Sequence, residues 1–138
     1  MEPEDVVHVL RNVDEALKPR GRLFDIHPTA DDPPIRAAGR GVGFIDARRF
    51  QPVVATTNAA VDALVGDGSF EDVRRVERDV EELYGDAEEL IGTGDEWTNL
   101  RLPAATRRRI RAAEPPFQVL WRVDFRLLRK AGRPRRRP

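Results

Sequence analysis

The chain has 138 residues, of which 40% are hydrophobic and 35% charged, and its formal net charge is zero. This length fits one compact domain or a piece of one, and the apolar content excludes a wholly disordered chain. Cysteine is absent, which excludes disulfides and thiolate metal sites, and no apolar run is long enough for a membrane span. Because residues 1–5 are acidic and do not resemble a signal peptide, we expect a cytoplasmic protein without membrane contact.

The first half of the sequence alternates predicted helices and strands. Residues 4–17 carry apolar side chains at spacings of three and four, which predicts an amphipathic helix that Pro19 ends. The apolar stretch 22–27 predicts a strand, whereas the prolines and glycines of 28–41 predict a long loop. A short strand over 42–46 and a helix over 53–65 follow.

The second half contains one ambiguous segment and three clearer ones. In 69–84 the valines and the final Leu-Tyr pair have helical spacing, so periodicity favours a helix there. We expect a short helix over 86–91 capped by Asp86 and a basic helix over 104–113 entered through Pro103. The alternation in 117–128 predicts the best strand of the chain, and the basic tail 131–138 is predicted to be disordered.

The charges are unevenly distributed along the chain. Residues 67–96 contain 12 acidic and 3 basic side chains, whereas 97–138 contain 13 basic and 2 acidic ones. We interpret this division as internal, with an acidic and a basic segment that face each other or share a solvated surface. Nucleic-acid binding through 107–111 and the tail is an alternative, but the sequence offers no matching set of exposed aromatic residues, so we expect no nucleic-acid partner.

The junction between the first helix and the first strand carries a resemblance. Ala16-Leu17-Lys18-Pro19-Arg20-Gly21-Arg22-Leu23 is similar to the helix–turn–strand segment of class I S-adenosylmethionine-dependent methyltransferases. In that family a leucine-basic-proline-glycine-glycine turn leads into the fifth strand of a seven-stranded sheet. Proline ends the helix and glycine permits the left-handed backbone of the turn. Arg20 stands where the family has its first glycine.

The resemblance extends over Glu4 to Lys130 and implies a fold. The family continues with a helix, a sixth strand, small helical insertions and a last strand antiparallel to the rest. The resemblance therefore implies an α/β fold, a partial Rossmann-like methyltransferase sheet with an antiparallel C-terminal strand at 117–128. It also places the sixth strand over 70–78, against the helical periodicity, and we prefer the strand there. On this view 1–130 is a methyltransferase-like C-terminal half domain.

The cofactor-binding part of the family pattern is missing from these 138 residues. The resemblance implies a glycine-rich loop after the first strand for S-adenosylmethionine, and only Gly39-Arg40-Gly41-Val42-Gly43 imitates it. That stretch precedes a predicted strand instead of following one, so we interpret it as a flexible loop. We therefore expect S-adenosylmethionine only if a partner completes the site, and a chain that is inactive alone.

The resemblance also suggests where a substrate and a partner would bind. His27, Pro28 and Thr29 lie at the carboxyl end of a strand, where α/β proteins bind ligands, and are the predicted binding residues for a small-molecule methyl acceptor. An ordinary polar strand end is the competing interpretation. Asp25 could coordinate a cation, but we expect it to be an isolated, solvated carboxylate. No metal site or catalytic residue is assigned. Because the sheet would have an open edge, we expect either a homodimer or a separate N-terminal half to cover it.

A second function class remains open at this stage. The same fold could serve as a non-catalytic interaction module that oligomerises through its open sheet edge. We expect Trp97 and Trp121 to anchor a core or an interface and not to form a ligand platform.

Overall fold

The computed structural model describes residues 3–132, so the predicted disordered tail lies outside the described residues from position 133 onward. Within the described range the fold is α/β, with four helices and five strands. These are α1 (Pro3–Ala16), β1 (Arg22–Pro28), β2 (Pro34–Ala37), β3 (Arg40–Phe44), α2 (Gln51–Gly66), β4 (Phe70–Tyr84), α3 (Ala87–Glu96), α4 (Ala104–Ala112) and β5 (Phe117–Lys130).

The five strands form one open antiparallel sheet. Strand β5 is hydrogen-bonded to β1, β2 and β4, and β2 is also bonded to β3. Ile35 of β2 faces Val119 of β5 on one side and Gly43 of β3 on the other. The expected antiparallel C-terminal strand is confirmed, but the hydrogen-bonded pairs give no parallel sheet. A Rossmann-like assignment therefore does not follow from the strand pairing.

The segment with conflicting sequence signals is a strand. Residues 70–84 form β4, a continuous strand of 15 residues, so the helix predicted by valine spacing is wrong and the strand over 70–78 is confirmed. Valine is favoured in strands because its branched Cβ fits a pleated surface. Pairing with β5 supplies contacts that the local spacing of apolar residues does not record.

The loop predicted over 28–41 is confirmed for 29–33 but is wrong from Pro34 onward, where a hairpin begins. Ile35 and Ala37 are buried whereas Arg36 between them is exposed, which is strand alternation hidden by the flanking prolines. Ala38 and Gly39 both have positive φ, 45° and 80°, and join β2 to β3 as a two-residue turn. This is the backbone that tight hairpins need to match strand twist.

The chain divides into two compact units, and the described residues of the first are 3–27, 53–77 and 124–132. Its core consists of apolar residues from both helices and three strands: Val61, Phe70 and Leu128, with Leu10, Leu17, Leu23, Leu64 and Val65 packed against them. Helices α1 and α2 therefore cover one face of this part of the sheet. The helices predicted at 4–17 and 53–65 are both confirmed to within a few residues.

The second unit comprises residues 28–52 and 78–123. Its core includes the fully buried Ile35, Ile45, Leu90, Ile110, Phe117 and Val119. Trp97 and Trp121 pack against this core, edge to face with ring centroids 5.9 Å apart, which confirms them as packing anchors. The Asp86 side chain accepts a hydrogen bond from the Glu89 N–H and caps α3, as the sequence predicted.

Candidate functional site

The helix-covered face of the first unit changes from apolar to charged along β1. Leu23 belongs to the apolar core, whereas Asp25 and His27, on the same face of the strand, continue into polar surroundings. Strands β4 and β5 and helix α2 add the other charged groups. We name this set the charged row: Asp25, His27, Asp62, Asp72, Arg75, Asp124 and Arg126. The side chains of Asp62, Asp72 and Arg75 are 59%, 40% and 42% exposed, whereas those of the other four are at most 15% exposed.

Arg126 binds two carboxylates from different elements. Its side chain is only 4% exposed; Nη1 donates to Asp62 Oδ1 at 2.7 Å, and Nη2 donates to Asp72 Oδ2 at 2.6 Å. The Arg126 hydrogen bond holds the pKa of Asp72 below its usual value. Arg126 thereby fixes α2 against β4 and β5 within this unit.

Arg75 and Asp124 form a second ion pair in the row. The guanidinium donates from Nε and Nη2 to both carboxylate oxygens, with a shortest distance of 2.5 Å. The Asp124 side chain is 4% exposed, so the pair satisfies a buried carboxylate. Such bidentate contacts are the strongest hydrogen-bonded pairs that arginine forms with a carboxylate.

Asp25 and His27 form a third pair with unused hydrogen-bonding capacity. Nδ1 of His27 lies 3.1 Å from Oδ1 of Asp25, and both side chains are about 85% buried, with 14% and 15% exposure. The hydrogen bond to Asp25 raises the pKa of His27 above 6.5, Asp124 adds to the rise, and burial and Arg75 oppose it. Asp25 Oδ2 and His27 Nε2 are buried without a hydrogen-bond partner among the described residues. The prediction that Asp25 is solvated is therefore wrong.

Pro28 and Thr29, the other predicted acceptor-binding residues, belong to the second unit. The Thr29 N–H donates to the Arg122 carbonyl at 2.8 Å, and its hydroxyl donates to Asp31 Oδ2 at 3.1 Å. These contacts fix the strand end and the loop after it. A role in binding a methyl acceptor stays a prediction for all three residues.

The glycine-rich stretch 39–43 is part of the hairpin and not the flexible loop that the sequence suggested. Gly39 lies in the turn and the remainder forms β3. Gly43 has φ 146°, and a Cβ there would lie 2.7 Å from Thr106 Oγ1 of α4. The glycine permits close packing of a helix on a strand, so the stretch has a structural explanation.

The acidic and basic segments of the sequence face each other, as we predicted. Within the first unit Arg129 pairs with Glu71 at 2.6 Å, in addition to the pairs of the row. Within the second, Arg122 pairs with Asp79. The basic helix α4 is also partnered, through Arg107 with Asp95 and Arg111 with Glu88. Two of the four arginines in 107–111, which suggested nucleic acid, are therefore paired with acidic side chains of the same unit.

The sheet of the first unit has an uncovered apolar face opposite its helices. Strand alternation places Phe24 and Ile26 of β1 on this face, and they are 63% and 55% exposed. Among the described strands, β1 pairs with β5 alone, so its other edge is open. We name the two exposed side chains Phe24 and Ile26 the bare face.

The described residues contain neither a candidate metal site nor a candidate membrane-spanning helix, and comparisons of the chain with known proteins found no match. Residues 3–132 contain no cluster of three or more His, Asp or Glu side chains suited to a metal ion. In the same range no helix has the length and apolar character needed to cross a membrane. No protein-family model, curated protein or solved structure matches the chain.

Proposed function

We propose that this chain is the C-terminal half of an S-adenosylmethionine-dependent methyltransferase-like domain, completed by a glycine-rich half from outside these 138 residues. The bare face carries the proposal. Helices α1 and α2 cover one side of the first unit's sheet, while Phe24 and Ile26 on the other side are more than half exposed. A domain whose sheet exposes one apolar face lacks a layer of secondary structure that would cover that face.

The direction of the strands supports the same proposal. The Lys130 N–H donates to Gly21 O, and the Ala131 N–H donates to Ser69 O, where β5 runs antiparallel to both β1 and β4. Strands β1 and β4 therefore run in the same direction. This is the relation that the resemblance implies for a fifth strand at 22–27, a sixth at 70–78 and an antiparallel closing strand at 117–128.

The turn before β1 is a further point of support. Arg20 stands where the family has a glycine, and its backbone is left-handed, with φ 66°. The backbone thus keeps a conformation that glycine adopts without strain, although the side chain has changed.

The described residues do not fit S-adenosylmethionine by themselves. The glycine-rich stretch 39–43 packs against α4, and Thr106 fills the space beside Gly43. The cofactor would therefore be held by the missing half, and we derive no step through it. The segment His27-Pro28-Thr29 remains our proposed contact with a small-molecule methyl acceptor.

The test is to co-express the chain with the polypeptide encoded immediately upstream and to measure S-adenosylmethionine binding by calorimetry. We expect a stable complex that binds the cofactor, whereas the chain alone binds none. Micromolar binding by the isolated chain, or an upstream sequence without a glycine-rich strand–helix junction, would contradict the proposal.

A second candidate is a non-catalytic oligomerising module derived from the same fold. The structural use of the glycine-rich stretch favours it, since no described segment offers a cofactor cradle. A chain that self-associates through the bare face, and whose complexes never bind S-adenosylmethionine, would select this candidate.

A further inference from the structure

In the charged row, Asp25 and His27 are bonded to each other and to neither arginine of the row. Of its four carboxylates, Asp62 and Asp72 are 59% and 40% exposed and can be solvated by water, whereas Asp25 and Asp124 are 15% and 4% exposed. Each guanidinium is already committed to another carboxylate, Arg75 to Asp124 and Arg126 to Asp62 and Asp72. Within the described residues Asp25 forms its ion pair with His27, 3.1 Å away, and its other carboxylate oxygen is buried without a hydrogen-bond partner.

We propose that His27 binds a proton as the counter-ion of the buried Asp25, and that loss of this proton loosens β1 from β5. The first unit would then contain a pH-sensitive contact between its edge strand and the rest of its sheet. This inference is independent of the proposed function, because it concerns the folded chain alone.

The surroundings of His27 decide which protonation state is stable. Burial favours the neutral imidazole, but a neutral ring would leave the Asp25 charge buried with no cation bonded to it. Asp25 on the same strand and Asp124 on β5 both favour the charged ring, whereas Arg75 on β4 opposes it. The hydrogen bond of 3.1 Å between the two side chains is the largest of these effects.

The sign of the effect on stability follows from linkage. The pKa of His27 is raised in the folded protein, so the unfolded chain releases this proton at lower pH. The stabilisation is fully present below pH 6.5, the ordinary value, and is lost as the pH rises through the folded value. We therefore expect the first unit to be held together more weakly above the folded pKa of His27 than below pH 6.5.

The direct test is a titration of the His27 imidazole by NMR, in the folded protein and in the same chain unfolded by urea. We expect the folded midpoint to lie above the unfolded one. The variant Asp25→Asn removes the counter-ion while keeping a similar shape, and its His27 midpoint should move down towards the unfolded value. A wild-type midpoint equal to or below the unfolded one would overturn the proposal.

The second test measures the loosening of β1 by hydrogen exchange. The amides of Arg20 and Lys130 form the backbone bonds between the start of β1 and the end of β5, and Ile45 in the second unit serves as the reference. We expect the protection factors of the first two to fall with rising pH while that of Ile45 stays level. Parallel behaviour of all three amides would overturn the loosening.

Matched variants separate His27 from general alkaline effects. His27→Gln keeps a donor near Asp25 but cannot titrate, so its first-unit protection should not change with pH. His8→Gln, an exposed position on α1, should behave as the wild type does. If His27→Gln does not fold, the wild-type titration and exchange data still decide the proposal.

Discussion

Gly43 of β3 lies against Thr106 of α4 so closely that a methyl group at the glycine would sit 2.7 Å from the Thr106 hydroxyl oxygen. The contact ties the hairpin to the basic helix within the second unit. It also explains a sequence feature that imitates a cofactor loop, since the glycine is needed for packing and for a φ of 146°.

Gly43→Ala should therefore destabilise the protein strongly. Overpacking and an unfavourable φ together should lower the free energy of unfolding by about 2 kcal/mol or more. Gly41→Ala is the matched control, since a Cβ there meets nothing within 4 Å, and its effect should stay within about 0.5 kcal/mol. Urea unfolding of both variants provides the measurement, and equal midpoints for the two would show that the close contact is unimportant.

Arg126→Met should cost more stability than Arg129→Met. Arg126 is 4% exposed and joins Asp62 to Asp72, whereas Arg129 and Glu71 are each about half exposed. We expect the first variant to lose about 2 kcal/mol, because it removes the hydrogen bonds that Arg126 donates to both carboxylates. The loss is no larger because water can solvate the two carboxylates that remain. The second should lose no more than about 0.5 kcal/mol. The reverse order in thermal or urea unfolding would mean that the charged row does not hold α2 to the sheet.

Asp72 should contribute to the loss of stability in acid. Arg126 lowers its folded pKa below 3.8, so its stabilisation is present above that pH and is lost as the pH falls through the folded value. Asp72→Asn should be less stable than the wild type at pH 5 and should change less between pH 5 and pH 2. Glu15→Gln, an exposed position on α1, is the control and should keep the wild-type slope. An unchanged slope in Asp72→Asn would exclude this carboxylate as a source of acid sensitivity.

Arg20→Gly should stabilise the turn before β1. Arg20 holds φ at 66°, a region that costs a residue with a Cβ about 1–2 kcal/mol, and glycine recovers part of this despite its greater freedom when unfolded. We expect a gain of about 0.5–1 kcal/mol in the free energy of unfolding. Arg22→Gly, within β1, should instead lose stability. If Arg20→Gly lowers the free energy of unfolding, the Arg20 side chain stabilises the fold by more than its left-handed backbone destabilises it.

Much of the secondary structure could be predicted from the local sequence, and each wrong prediction has a specific cause. The periodic helices and the strand over 117–128 were predictable because their apolar spacing reports which side is buried. The hairpin inside 28–41 was not, since only Ile35 and Ala37 carry its alternation and the prolines beside them read as loop. The valines of β4 have helical spacing, but the segment is a strand because it pairs with β5.

The candidate site was only partly predictable. His27 could be singled out as a polar residue at a strand end, and Asp25 was visible two positions before it. The period of a strand puts both on one face, which was the available signal for the pair. Their burial beside Asp124 and Arg75 depends on residues about 50 or 100 positions away, and nothing in the local pattern reports those.

The central claim, that the chain is a half domain with an uncovered face, is tested most directly by light scattering of the isolated chain at micromolar concentration. Without its partner half, we expect a second copy to cover the bare face, so the wild type should have the mass of a dimer or larger. Phe24→Lys with Ile26→Lys should give a folded monomer, whereas Leu83→Lys, at a side chain 64% exposed elsewhere, should leave the mass unchanged. A wild-type chain that is a stable, folded monomer would contradict the claim.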